Sequence, residues 1–277
     1  MKESMDAQAG LAELLQWYAD IGVDEAIGDV PVDRTRVPEK AVVLPIATTA
    51  PESPATIARA TVSTSASVPE AVPVTGTIEA VKEAKALAAA AKTSEELKAA
   101  LEKFQGLSLK RTATHMVFAD GNPAARVMVI GDAPGTDEDR AGIPFAGGNG
   151  QLLDKMLGAI GLKREENVYI TTILNWRTPG NRAPTQAEID LSLPFAQRHI
   201  ELVSPAVIIY IGGSAAKILQ QTGEPISRLR GKWLEYNSIP ALAIFHPEYL
   251  LQNPAQKKVA WEDLQMLQAR LKEMGVL

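Results

Sequence analysis

Asp132, Glu138, Phe145 and His246 are the residues of this chain whose types and setting point to chemistry. The first three follow a short apolar run, Val127 to Ile130, that stops at Gly-Asp-Ala-Pro-Gly and an acidic turn holding Asp137, Glu138 and Asp139. His246 follows a second apolar run, Ala241 to Phe245, far downstream. Carboxylates and imidazoles move protons and stabilise developing charge near neutral pH, and a site needs them together. Gly131 and Gly135 let the backbone turn sharply and approach a ligand, and Pro134 holds the bend. Glycine and aspartate are ordinary residues for a strand-to-helix turn. What singles this turn out is a histidine expected at a neighbouring strand end, facing the acids.

For these residues to meet, the elements between them must bring several strand ends to one rim. Strand Val127 to Ile130 leads to helix Gln151 to Ile160, and strand Val168 to Leu174 leads to helix Gln186 to Leu202, opened by Pro184-Thr185. Ala206 to Ile211 is nearly all apolar, as a strand covered on both faces should be, and Ser214 opens helix Ala215 to Gln221 behind it. The last strand, Ala241 to Phe245, is followed by a long amphipathic helix, Ala255 to Met274. The alternation predicts an α/β fold: three α/β/α layers with a central four-stranded parallel sheet and right-handed crossovers. Ligands collect at the carboxyl ends of strands in such sheets. The loops expected there carry Asp132 to Phe145, Asn175 to Arg182, Gly212 to Ser214, and His246 to Leu251. GDAPGT lacks the glycine spacing of a dinucleotide fingerprint, and no phosphate-binding P-loop sequence occurs.

The chain of 277 residues is 46% hydrophobic, enough for a sizeable core. Its composition divides it into residues 1–30, 31–78 and 79–277. In the first segment Leu11, Leu14, Leu15, Tyr18 and Ile21 form one stripe of an amphipathic helix, a surface suited to a protein partner or to the body of the molecule. The second is a tether rich in Pro, Ala, Thr and Ser, without sustained periodicity, and is expected to be disordered. The third opens with Ala-rich helical sequence from Glu79 to Lys103, broken near Thr93-Ser94, where a second helix can begin. The chain has no cysteine, which excludes disulfides, thiolate zinc sites and cysteine nucleophiles. No apolar run is long enough to span a membrane and no secretion signal is recognisable, so a cytoplasmic protein is expected. The net charge of -5 argues against a broad polyanion binder, but the acidic excess lies mostly before residue 104, leaving room for a local basic strip at Arg228, Arg230 and Lys232.

Five stretches follow one another in a specific order: VFADGNPAARVMVIGDAPGTDEDRAGIPFAGGNGQLLDKML, VYITTILNWRTPGNRAPT, QRHIELVSP, RLRGKW and FHPEYLLQNPAQKKVAWEDL. Through them the chain, from about Phe104 to its end, resembles the family 4 uracil-DNA glycosylases of bacterial type. Its amino-terminal helix and Pro/Ala linker resemble the extension of some alphaproteobacterial members. The resemblance implies hydrolysis of the N-glycosidic bond of uracil in DNA, the first step of base excision repair, on a base flipped out of the stack. It implies that His246 stabilises charge on the departing uracil while Asp132 and Glu138 are the carboxylates that orient water. It further implies that Phe145 stacks on the base, that Ala133, Thr172 and Asn181 line its pocket, and that Leu250 and Leu251 wedge the vacated stack. Ser214, Arg228 and Arg230 would hold phosphates, contacts that position without reading sequence. One chain completes the pocket, so a monomer acting on uracil-containing DNA is expected.

The chain departs from the family pattern in four respects. Leu107, Trp176 and Ser192 stand where three cysteines of an iron-sulfur cluster are expected, so no cofactor is expected here, with Trp176 packing in the cluster's stead. Asp132 replaces a Glu, which shortens the carboxylate by one methylene. Thr172 replaces the Asn whose amide reads the uracil edge, and a hydroxyl cannot reproduce the paired contact of an amide. Gln252 replaces an Arg after the double leucine. These changes suit a second reading, a catalytically weakened or altered-specificity relative that binds uracil or lesion DNA. A third is a platform that recruits a repair partner through the amino-terminal helix.

Overall fold

The computed structural model describes residues 74–277, with side chains from residue 78. The expected amino-terminal helix and most of the tether lie outside the described residues.

Helices α1 (Val74–Ala90) and α2 (Ser94–Lys103) open the described chain. The break between them falls where the sequence placed it: the Thr93 hydroxyl accepts from the Glu96 amide at 3.2 Å and caps α2. The sheet consists of β1 (Ala119–Gly121), β2 (Val127–Gly131), β3 (Val168–Thr172), β4 (Val207–Ile211), β5 (Trp233–Tyr236) and β6 (Ile239–Ile244) in the order β1-β3-β2-β4-β6-β5. Its four central strands, β3, β2, β4 and β6, run parallel, as the alternation of apolar runs and helices predicts. β1 and β5 add antiparallel edges that the sequence reading did not anticipate. β5 and β6 are joined by Asn237 and Ser238, both at positive φ (46° and 67°), the backbone of a tight hairpin.

Every residue of β2, β3 and β4 is buried, because helices cover both faces. Successive side chains go to opposite layers: Met128 and Ile130 enter one core cluster, Val127 and Val129 the other. The first cluster takes Leu97 and Leu101 from α2, Leu191, Phe195 and Ile200 from α6 (Gln186–Val203), and Ala215 and Ala216 from α7 (Gly213–Gln220). The second takes Leu153 and Leu157 from α4 (Gly147–Gly158) and Leu264, Leu267 and Leu271 from α10 (Lys257–Glu273). Shorter helices lie on the rim: α3 (Thr136–Ala141), α5 (Arg164–Asn167), α8 (Ile226–Leu229) and α9 (Pro247–Gln252). α3 and α9 occupy stretches read from sequence as loop, each being under two turns long. Among the described residues no helix is long and apolar enough to cross a membrane.

Candidate active site

The carboxyl ends of the parallel strands open into a cleft of about 410 Å³, lined among others by Asp132, Ala133, Glu138, Phe145, Thr172, Asn181, Ser214 and His246. Four strand ends therefore deliver side chains to one place.

Asp132, directly after β2, reaches across to β4's exit. Its Oδ1 accepts from the Ala215 amide at 2.5 Å and its Oδ2 from the Ser214 amide at 3.4 Å, so the carboxylate sits on the first turn of α7. Gly212, at φ +97°, makes this approach feasible: a Cβ there would lie 2.8 Å from Asp132 Oδ2. Burial raises the Asp132 pKa, opposed by the Ala215 amide and by His246. The amide donors hold the ionised, accepting form in place.

His246 leaves β6 and begins α9. Its Nδ1 accepts the Glu248 backbone N–H at 3.2 Å. A backbone amide can only donate, so Nδ1 carries a lone pair and the proton of the neutral ring resides on Nε2. Burial holds the imidazole pKa below its ordinary value, against the opposite pull of Asp132, Glu248 and Glu138. His246 is therefore a neutral donor at pH 7.

Phe145 faces it, the ring centroids 5.7 Å apart and tilted by 34°. The phenyl lies over Gly131, where a Cβ would come within 2.6 Å of Cζ. Phe145 itself has φ +52°, a left-handed conformation uncommon for an aromatic residue. Arg164 clamps that strained segment. Its guanidinium donates to the carbonyls of Pro144 (2.9 Å) and Phe145 (3.1 Å) and to the carboxylates of Asp120 (2.8 Å) and Asp154 (3.0 Å).

Other expected residues occupy more structural positions. Glu138 is buried, and its Oε2 accepts from the Gly135 amide at 2.9 Å, closing the first turn of α3 within the cleft wall. Thr172 lines the cleft, but its hydroxyl donates to the Leu174 carbonyl at 2.7 Å, so its proton is already committed. Asn181 accepts from Arg177 Nε at 2.6 Å through Oδ1. Asn175, its side chain buried against the Val117 carbonyl, ties the loop before β1 in place.

Two expectations for DNA contact require correction. Leu250 is 1% exposed and packs in the second core cluster, because α9 turns it inward; Leu251, 48% exposed, is the leucine available to an approaching strand. Arg230 is held by both oxygens of the buried Asp263 (2.8 and 2.6 Å) and by the Val259 carbonyl, and lies 5.4 Å over the Phe245 ring. It is a structural cation rather than a free phosphate ligand. Arg228 stays on the surface, paired among the described residues with Glu224 at 3.2 Å. Asn149, Glu248 and Tyr249 also line the cleft and were not singled out from sequence. Asn149 had a signal, its place shortly after Phe145 at the mouth of a helix.

Leu107 and Trp176, at expected cluster-cysteine positions, are buried in the first core cluster, with Lys110 Nζ 5.5 Å from the Trp176 ring centre. Ser192 is buried in α6. A thiolate-held cluster does not fit residues that supply no thiolate.

Residues 118–265 match the Uracil DNA glycosylase superfamily. The chain is 39% identical to the type-4 uracil-DNA glycosylase of Archaeoglobus fulgidus over 154 residues, covering 53% of this chain and 77% of that one. It is 32% identical to that of Thermotoga maritima over 186 residues, 63% of this chain and 93% of the other. The chain belongs to the uracil-DNA glycosylase superfamily, on its type-4 branch.

Proposed function

We propose that this protein excises uracil from DNA by hydrolysing the N-glycosidic bond, opening base excision repair. One observation carries the reading: a histidine whose free proton is fixed on Nε2 shares a cleft with an aromatic ring and with Asp132 and Glu138. The cleft volume, about 410 Å³, falls in the range of small-ligand sites, about 300 to 1,000 Å³. It suits one nucleotide flipped out of the duplex.

In this reading Phe145 supports the flipped base, and His246 donates its Nε2–H to the uracil O2. As the bond to C1′ breaks, the electron pair stays with the base, and this hydrogen bond stabilises the resulting anion. A neutral imidazole suits this role because it donates without presenting a positive charge to solvent beforehand. The sugar gains positive character, which the carboxylates of Asp132 and Glu138 offset. Asp132 has further lone pairs beyond those taken by the α7 amides, and these orient the water that adds to C1′. As the water adds to C1′ it gives up one proton, and the departing uracil anion takes one up, which balances the hydrolysis. Leu251 fills the space the base leaves, while Ser214, Arg228 and the amides after β2 hold the flanking phosphates. All these groups come from one chain, which supports action as a monomer.

The test is incubation of the full chain with an oligonucleotide carrying one uracil, then alkali. Strand scission at uracil that is lost in His246→Ala is expected. Retention of the oligonucleotide in a gel without scission would overturn the enzyme reading in favour of a lesion binder, and neither scission nor retention would favour a platform.

A further inference from the structure

We propose that the uracil edge is read by a divided pair, with the Thr172 hydroxyl oxygen accepting from N3–H and the Asn149 amide donating to O4. This rests on the uracil-excision reading above.

Uracil presents a donor at N3 and an acceptor at O4, whereas cytosine presents an acceptor at N3 and a donor at N4. A reader therefore needs one acceptor and one donor side by side. The β3 strand end, from which an amide reader is expected, carries Thr172. Its proton is spent on the Leu174 carbonyl at 2.7 Å, and a carbonyl can only accept, so towards a ligand the Thr172 oxygen acts solely as an acceptor. That fixed polarity selects N3–H over the N3 lone pair of cytosine. The donor half of the recognition has then to come from elsewhere in the cleft.

Asn149 meets this need. It lies in the first turn of α4, half-buried, in the same cleft as Thr172, Phe145 and His246. The chain folds back to bring it there through Phe145 and Gly147, both left-handed with φ of 52° and 66°. The other cleft amides, Asn181 and Gln252, are exposed on the rim, and Arg177 holds Asn181 there through its oxygen. The Asn149 amide forms no side-chain hydrogen bond among the described residues, so its donors are unspent. A free carboxamide can turn either way and would pair with uracil or cytosine alike. Thr172 removes that ambiguity, because its acceptor admits only the base for which Asn149 must donate.

The experiment measures single-turnover excision of uracil, and of cytosine as control, by wild type, Asn149→Ala and Asn149→Asp, with melting temperatures alongside. Asp is nearly isosteric with Asn but lacks the donor. If Asn149 reads O4, both variants lose about 10- to 100-fold in uracil excision, Asp at least as much as Ala, since its carboxylate faces O4. A role in packing predicts the opposite order, with Asp near wild type and Ala impaired. That order, or unchanged excision in Asn149→Ala, overturns the divided reader while leaving the excision reading intact. Wild type that removes no uracil overturns the excision reading itself.

Discussion

Arg164 gives the strictest test of how the site is built. In Arg164→Met the apolar stem remains while the fork that holds Phe145 is lost. The side chain is only 15% exposed and donates to the carbonyls of Pro144 and Phe145. Each carbonyl left without its charged donor costs about 1–2 kcal/mol. The partners Asp120 and Asp154 are 35% and 47% exposed and recover water, so their loss adds little. The sum is about 3 kcal/mol of stability, or a fall in melting temperature of roughly 6–12 °C. The effect on chemistry should be larger than the remaining stability explains. The left-handed Phe145 costs about 1–2 kcal/mol to hold, and once released it relaxes, moving the ring off Gly131 and away from His246. At 25 °C, where the variant is still folded, uracil excision should fall about 10- to 100-fold, mostly in kcat, with duplex binding nearly unchanged. Arg164→Lys keeps the charge but not the fork and should fall between. Circular-dichroism melts and single-turnover kinetics on one preparation decide the matter. A melting temperature that drops while kcat holds would show that the core, not Arg164, keeps Phe145 in place.

Arg230→Ala leaves the buried Asp263 carboxylate without its partner and should cost about 3–5 kcal/mol in urea unfolding, with no change in the salt slope of DNA binding for whatever protein remains folded; a reduced slope would return Arg230 to the DNA interface. The two adjacent leucines should separate cleanly. Leu250→Ala loses about 2–5 kcal/mol of stability, whereas Leu251→Ala changes stability by under about 0.5 kcal/mol yet weakens excision from duplex more than from single strands. Burial in contact with Tyr169 pulls the His199 pKa down to about 4, so the folded protein favours the neutral ring. Stability should therefore be full above about pH 6.5 and fall towards about pH 4, by up to roughly 3 kcal/mol from this residue. Urea titrations across that range should show a flatter dependence in His199→Gln; an equally steep curve would assign the dependence to other groups.

The central strands are legible in the sequence because burial on both faces leaves no polar residue to break runs such as Val207–Ile211. The helices between them announce themselves by their caps and periods. The edges are not legible: β1 has three residues and β5 four, too few to show a period. At the site, residue type and strand-end position were enough to gather Asp132, Phe145 and His246. They were not enough to tell which side chains are already committed. Nothing local to RLRGKW signals that Arg230 has a carboxylate waiting 33 residues later on α10, and a double leucine does not say which member faces inward. The use of Glu138 to close its own helical turn is likewise set by backbone geometry.

One contact joins two tasks that a repair enzyme performs on different parts of its substrate. The imidazole nitrogen that receives the Glu248 amide also anchors the start of the short helix bearing Leu251. A proton added at that nitrogen would cancel its ability to accept, removing the cap from the first turn of the helix at the same moment that it charges the ring. In the proposed reading, acidification would thus act through this cap on the leucine that enters the stack, while the Nε2–H that faces the leaving group stays a donor whether the ring is neutral or charged.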